Sequence, residues 1–122
     1  MNISSVNRNI FNQKELIANN QNHTFINTNS ENFGVIKSKG SLAINGQDSV
    51  IFNKDKIVTN NQDYDLLYSR LINNKTIQGD DSVKITALDK AIENNEEGTI
   101  TAYDISNVDN ANHDTAVKLD IL

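Results

Sequence analysis

The sequence has no cysteine, no proline and no tryptophan, and these absences close several classes of function. Without cysteine there is no disulfide, no zinc-thiolate site, no iron-sulfur cluster and no cysteine nucleophile. The five glycines are isolated from one another, so a glycine-rich phosphate loop is also missing. Paired carboxylates such as Glu96 and Glu97 lack the tryptophan platform that glycoside-cleaving clefts commonly use. We therefore predict that the protein is not an enzyme.

Long apolar runs are absent as well. The first residues contain no basic segment followed by an apolar stretch, and no part of the chain approaches the roughly 18 apolar residues of a membrane span. The sequence predicts no secretory signal peptide and no transmembrane segment. We expect a protein that is cytoplasmic or exported by a route without cleavage, with no membrane partner.

Asparagine is abundant, at about one residue in six of the 122. We attribute much of this excess to an AT-rich coding sequence. A chain of this length fits one domain with a modest core. Residues 1–32 are polar with scattered apolar residues, which predicts a partly extended N-terminal arm. Residues 33–122 are predicted to form the single folded domain.

Charge is distributed unevenly within the net value of −5. Residues 1–79 carry eight Lys/Arg and six Asp/Glu, a net +2, whereas residues 80–122 carry three Lys and ten Asp/Glu, a net −7. An acidic final third repels phosphate backbones and attracts cations or a basic protein surface. This pattern excludes nucleic acid as a partner and favours a protein partner or self-association, although an acidic surface also serves solubility alone.

The segment from Phe33 to Thr59 contains short apolar runs separated by turn-forming residues. The Asn45-Gly46 pair suits a two-residue hairpin turn, so residues 42–44 and 49–52 are predicted to be antiparallel neighbours in a β-meander. The expected buried face consists of Val35, Leu42, Ile44, Val50, Phe52 and Ile57.

Two short helices are predicted to pack on this meander. Between Asp63 and Asn74, apolar residues recur at helical spacing, with Tyr64 and Tyr68 expected as core or boundary residues. Thr86 is a suitable N-cap for a second helix that ends before the Asn94-Asn95 pair. Residues 98–122 then read as two strands. The predicted fold class is α+β: a small antiparallel meander and a C-terminal strand pair packed against two short helices, with the polar N-terminal arm.

One stretch has the residue types of a metal site. Taking Gly98 as the sixth position of a loop places oxygen-bearing side chains at alternating positions, in the order that calcium requires: Glu93, Asn95, Glu97, Thr99 and Asp104. These residues resemble a degenerate EF-hand loop, which implies calcium as a possible cofactor. The loop begins with Glu rather than Asp, and no helix follows it. The alternative is a solvated acidic turn between a helix and a strand.

Two other polar groups of residues are ambiguous. Lys37, Lys39, Lys54 and Lys56 could meet on one sheet edge, either as a patch for nucleic acid or an acidic protein or as protection against strand pairing; the patch lacks the arginines and interleaved aromatic residues expected for base stacking. His113 with Ser106 and one of Asp104, Asp109 or Asp114 supplies the residue types of a hydrolase triad, without a glycine-flanked serine turn.

Two hypotheses of function follow. The first is a non-enzymatic structural, assembly or protein-interaction subunit that uses the N-terminal arm and the acidic C-terminal face. The second is a calcium-binding module that uses the loop at residues 93–104.

Overall fold

The structure, a computed structural model, describes residues 1–87, 92–107 and 119–121, and these residues form a parallel β-solenoid. All described strand pairs are parallel, and they connect positions that lie 19 to 23 residues apart in the sequence. The strands are β1 Asn2–Val6, β2 Asn9–Asn12, β3 Glu15–Ala18, β4 Gln21–Ile26, β5 Asn29–Asn32, β6 Val35–Gln47, β7 Val50–Asn53, β8 Lys56–Leu67, β9 Arg70–Asn73, β10 Thr76–Ala87, β11 Ile92–Asn94, β12 Thr99–Asn107 and β13 Leu119–Ile121.

Each turn of the solenoid, here called a coil, has three faces. Coils 1 to 5 comprise residues 1–20, 21–41, 42–61, 62–82 and 83–104, as the strand register defines them. Face 1 contains β1, β4 and the second halves of β6, β8, β10 and β12. Face 2 contains β2, β5, β7, β9 and β11, and face 3 contains β3, the first halves of the four long strands, and β13.

The alternation of side chains along a strand explains the core, because every second residue of each coil points inward. Inward residues at one register position stack across coils, as Ile36, Ile57 and Ile77 do on face 3. A second stack on face 2 contains Ile51, Leu71 and Ile92. Neighbouring coils thereby bury one continuous apolar column that no single coil could bury alone.

A ladder of asparagines, half-buried in coil 1 and buried in coils 2 to 5, marks corner 2, where face 2 turns into face 3. In coils 1 to 4 the asparagine Nδ2 donates to the Oδ1 of the asparagine in the next coil, at 2.8 or 2.9 Å, and in coil 5 it donates to Gly98 O; the series is Asn12, Asn32, Asn53, Asn73 and Asn94. The same Nδ2 groups also donate to backbone carbonyls around the corner, as Asn53 does to Asp55 O and Thr76 O. The ladder satisfies polar groups that would otherwise be buried without partners.

Coils 1 to 4 alternate between 20 and 21 residues, so two of these coils form a 41-residue unit, and coil 5 has 22 residues. Gln21 in coil 2 and Gln62 in coil 4 occupy equivalent places at corner 3, where face 3 turns into face 1. Gln21 Nε2 donates to the carbonyls of Leu16 and Lys37, and Gln62 Nε2 donates to those of Ile57 and Gln78. Coils 3 and 5 have apolar Leu42 and Val83 at this position.

The α+β prediction is wrong. Residues 63–67 and 70–73 belong to β8 and β9 rather than to a helix. At the second predicted helix, residues 86–87 end β10 and residues 92–94 form β11, while residues 88–91 lie outside the described part. Apolar residues at helical spacing here reflect two strands joined by a corner, since each strand contributes inward residues on its own period of two.

The antiparallel meander is also wrong. Asn45 and Gly46 lie inside β6 rather than in a hairpin turn, and β6 and β7 pair with other coils instead of with each other. The predicted C-terminal strands, β12 and β13, pair in parallel. The polar arm of that fold class is not a separate extension, because residues 2–32 form β1 to β5 of the same sheets. The domain boundary after residue 32 stays a prediction.

In the described ranges, no helix is long and apolar enough to cross a membrane.

Candidate functional site

The residues of the predicted calcium loop lie on a strand, a turn and a second strand. Glu93 is in β11, and its Oε1 accepts a hydrogen bond from Arg70 Nη2 at 3.0 Å. Asn95 donates from Nδ2 to the Oδ1 of Asn74 in the coil before it. Glu97 is exposed in the turn, and Thr99 and Asp104 belong to β12.

Two of these five side chains are therefore paired with neighbours in coil 4. Among the side chains that the structure describes, in residues 1–87 and 92–102, no group of three or more His, Cys, Asp or Glu could hold a metal ion. An EF-hand would need helices on both sides of the loop, whereas strands flank this one. The calcium assignment of Glu93, Asn95, Glu97, Thr99 and Asp104 stays a prediction.

The four lysines of the predicted patch are spread over different parts of the surface. Lys37 and Lys56 point outward from face 3, Lys39 is exposed at corner 3, and Lys54 lies at corner 2. Lys54 Nζ is 3.4 Å from Glu31 Oε2 and lies over the rings of Phe33 and Phe52, at 4.5 and 4.6 Å from their centroids. This ammonium group is thus held by its neighbours.

Two buried polar pairs occur at equivalent positions of coils 2 and 4. His23 Nε2 lies 2.9 Å from Gln21 Oε1, and Tyr64 donates its hydroxyl to Gln62 Oε1 at 2.5 Å. Because Gln21 Oε1 is an acceptor, the neutral His23 must carry its proton on Nε2. Burial, assisted by the Met1 ammonium group, lowers the pKa of His23 to about 4, and burial raises the pKa of Tyr64. Both side chains are therefore neutral structural groups at pH 7.

The members of the predicted triad do not form a described site, because His113 and the nearby Asp109 and Asp114 lie outside the described residues. Ser106 and Asp104 lie in β12, where their backbones pair with Lys84 and Ser82 of β10.

The end of the solenoid formed by coil 1 differs from its middle. The inward residues Ile3, Ile10 and Leu16 are only partly buried, and they line an apolar cavity of about 210 Å³. Phe11 and Ile17 are 58% and 57% exposed on the same coil. This end presents apolar surface that the inner coils bury.

Corner 1, where face 1 turns into face 2, contains a row of residues in the left-handed backbone conformation. Asn7, Asn27, Asp48 and Tyr68 have φ values of 56°, 46°, 50° and 49°. Their backbones are linked from coil to coil, since Asn27 N donates to Gln47 O and Asp48 N to Leu67 O. Asparagine and aspartate tolerate this conformation, but tyrosine does so only with strain. Tyr68 is 74% exposed, so burial does not compensate for the strain.

A shallow groove lies beside corner 1 on the outer side of face 1. It has a volume of about 310 Å³, and its outward side chains include Thr24, Asn45, Asp65, Ile26, Gln47 and Leu67. Ile26 and Leu67 are 39% and 43% exposed. Amide, carboxylate and apolar groups therefore alternate on this surface, next to the exposed ring of Tyr68.

Neither corner 1 nor the groove on face 1 is predicted as a functional surface from the sequence, because Tyr68 is grouped there with Tyr64 as a core or boundary residue. Tyr64 is fully buried and Tyr68 is largely exposed. The signal was the 20- and 21-residue spacing of Asn7, Asn27, Asp48 and Tyr68, which an internal-repeat search detects.

Comparison of the chain with protein-family models, with curated proteins and with solved structures finds no match.

Proposed function

We propose that the protein is a non-enzymatic structural subunit that associates with other copies of itself through the open end of coil 1. The observation that supports this proposal is the pairing of β1, β2 and β3. Each of them pairs with a strand of coil 2 and with no other described strand. Strands with an unpaired side are templates for pairing with another chain.

The directions of backbone groups identify the unpaired side. Asn22 N donates to Met1 O, and Asn7 N donates to Ile26 O, so the odd-numbered residues of β1 face coil 2. Backbone groups alternate in direction along a strand, which turns Ser4 and its even-numbered neighbours away from coil 2. By the same reasoning, the residues with free backbone groups on coil 1 are Asn2, Ser4, Val6, Asn9, Phe11, Glu15 and Ile17.

The composition of this edge favours pairing. Natural edge strands are commonly protected by lysine, proline or inward-pointing charges. Here Glu15 is the one charged residue among the seven, and none is proline. The partly buried Ile3, Ile10 and Leu16 would gain burial when a second coil covers the cavity at this end.

Charge favours a head-to-tail arrangement over a head-to-head one. Residues 1–41 carry four Lys/Arg and two Asp/Glu, a net +2, whereas residues 80–122 carry −7. The coil 1 end of one copy is therefore attracted to the acidic part of another, and salt screens this attraction. Such an interface joins two different surfaces, so it generates open-ended assemblies rather than closed dimers.

Sedimentation velocity of Ser4→Pro tests the proposal, because proline removes an N–H that the chain itself does not use. The wild type should sediment faster as concentration rises and more slowly as salt rises. Ser4→Pro should remain monomeric with an unchanged circular dichroism spectrum, and the control Ser4→Thr, which keeps the N–H, should associate like the wild type. A monomeric wild type, or association of Ser4→Pro at the wild-type concentration, would refute the proposal.

A further inference from the structure

We propose that corner 1 and the adjoining groove on face 1 bind a neutral polysaccharide, with the ring of Tyr68 stacking on a sugar face. The proposal rests on four residues at equivalent positions in coils 1 to 4. Three of them, Asn7, Asn27 and Asp48, suit the left-handed conformation, whereas Tyr68 does not. A strained residue that is also exposed gains nothing for the fold, which makes ligand contact the reason for its presence.

The groove offers the polar groups that sugar hydroxyls bind. Asn45 and Gln47 present amides, and Asp65 presents a carboxylate, from outward positions of β6 and β8. Planar amide and carboxylate groups accept and donate hydrogen bonds to hydroxyls of either direction. Ile26 and Leu67 lie exposed between them and suit the apolar C–H face of a pyranose ring.

The same corner continues as a polar groove toward the coil 1 end. This second groove has a volume of about 280 Å³ and is lined by Asn7, Arg8, Asn9, Asn27, Thr28, Asn29 and Asp48. Asn27 Nδ2 donates to Asn7 Oδ1 at 2.9 Å, so the amides form an ordered row. Asp48 N, at the end of this groove, donates to the carbonyl of Leu67, the residue before Tyr68 in the next coil. The two grooves together favour an extended ligand over a single sugar.

Charge and backbone geometry restrict the class of ligand. Asp48 and Asp65 are the acidic residues that line the two grooves and Arg8 is the one basic residue, so a net charge of −1 disfavours an anionic polymer such as a polyuronate. A peptide usually binds a sheet by adding a strand at an edge. The strands β4, β6 and β8 are each paired on both sides, so face 1 offers a peptide backbone no edge here. A neutral polysaccharide is not repelled by the carboxylates and needs no free strand edge.

Affinity electrophoresis tests the proposal, with the protein run through native gels that contain soluble β-glucan, xylan, mannan or starch. We expect at least one polymer to retard the wild type. Tyr68→Asn should lose at least tenfold in affinity, Tyr68→Phe should keep it because the ring remains, and Asp65→Ala should weaken it. Phe33→Asn is the matched control, because Phe33 is an exposed aromatic residue at corner 2.

Thermal denaturation accompanies each variant, so that a lost affinity is not confused with a lost fold. Tyr68→Asn should melt at or above the wild-type temperature. The proposal is refuted when none of the four polymers retards the wild type, when Tyr68→Asn is retarded equally, or when Phe33→Asn loses as much affinity. If polylysine were the one polymer that retards the protein, the carboxylates of the site would be binding basic chains rather than a polysaccharide, and the proposal would also be refuted. The outcome is independent of self-association, since Ser4→Pro should bind polysaccharide like the wild type.

Discussion

Replacing Asn53 by alanine should remove a large part of the stability of the solenoid. Asn53 is fully buried in the middle of the asparagine ladder. It accepts from Asn32 Nδ2 at 2.9 Å, and its Nδ2 lies 3.1, 2.8 and 2.9 Å from Asp55 O, Asn73 Oδ1 and Thr76 O. The amide has two N–H groups, so these contacts amount to about three full hydrogen bonds, and at about 1 kcal/mol net each their loss costs about 3 kcal/mol. Domains commonly have only about 5–15 kcal/mol in total.

Urea denaturation followed by circular dichroism measures this loss. Asn45→Ala is the matched control, since Asn45 is exposed on β6 and should change the free energy of unfolding by no more than about 0.5 kcal/mol. Asn53→Asp should be at least as harmful as alanine, because a carboxylate would face three acceptors without an N–H to donate. A loss below about 1 kcal/mol for Asn53→Ala, or equal losses at Asn45 and Asn53, would show that the ladder follows from coil stacking and does not stabilise it.

Three further predictions concern His23, Tyr68 and two glycines. The folded chain holds the pKa of His23 at about 4, below its ordinary value of 6.5, so stability is complete above pH 6.5 and falls as pH drops from 6.5 toward 4. Urea unfolding measures the free energy of unfolding that is lost between pH 7.5 and pH 4.5, and this loss should be up to about 3 kcal/mol larger in the wild type than in His23→Tyr. The variant reproduces the Gln62–Tyr64 pair without a group that titrates in this range. Equal losses in the two proteins would contradict the prediction. Tyr68→Asn should raise stability by about 1 kcal/mol in thermal denaturation by relieving the left-handed strain, and a lower melting temperature would contradict that reason. Gly34→Ala should prevent folding, as judged by circular dichroism, because the added Cβ would lie 2.0 Å from Lys14 O, whereas Gly46→Ala meets a side-chain carbon at 3.0 Å and should remain folded.

Local pattern predicted the extended character of residues 33–59 and part of the core, but not the partners of the strands. Leu42, Ile44 and Ile57 are buried as predicted, whereas Val35, Val50 and Phe52 are only half-buried. The period of two places one side of a strand inward regardless of its neighbour, so it cannot tell a hairpin from a coil. Asn45-Gly46 favoured the hairpin, yet Gly46 lies inside β6, where a Cβ would come within 3.0 Å of an Ile51 side-chain carbon and 3.3 Å of Ser69 Oγ.

The repeat was the missing piece of sequence information. The segments IFN, IFN and LIN end at Asn12, Asn53 and Asn73, and SEN and IEN end at Asn32 and Asn94. Attributing the asparagine excess to coding composition hid this spacing. At these five positions the excess has a structural cause, because a buried amide can donate to the next coil and accept from the previous one.

The constraints of a solenoid also indicate where function can lie. Inward positions must pack and ladder positions must pair, so their sequence is determined by the coils above and below. Outward positions are free of that demand, and a residue there that opposes folding needs another explanation. Tyr68 is such a residue, exposed and in a conformation that tyrosine disfavours. Asparagine at position 68 would repeat Asn7 and Asn27 without strain, so the departure from the repeat is itself the argument that corner 1 contacts a ligand.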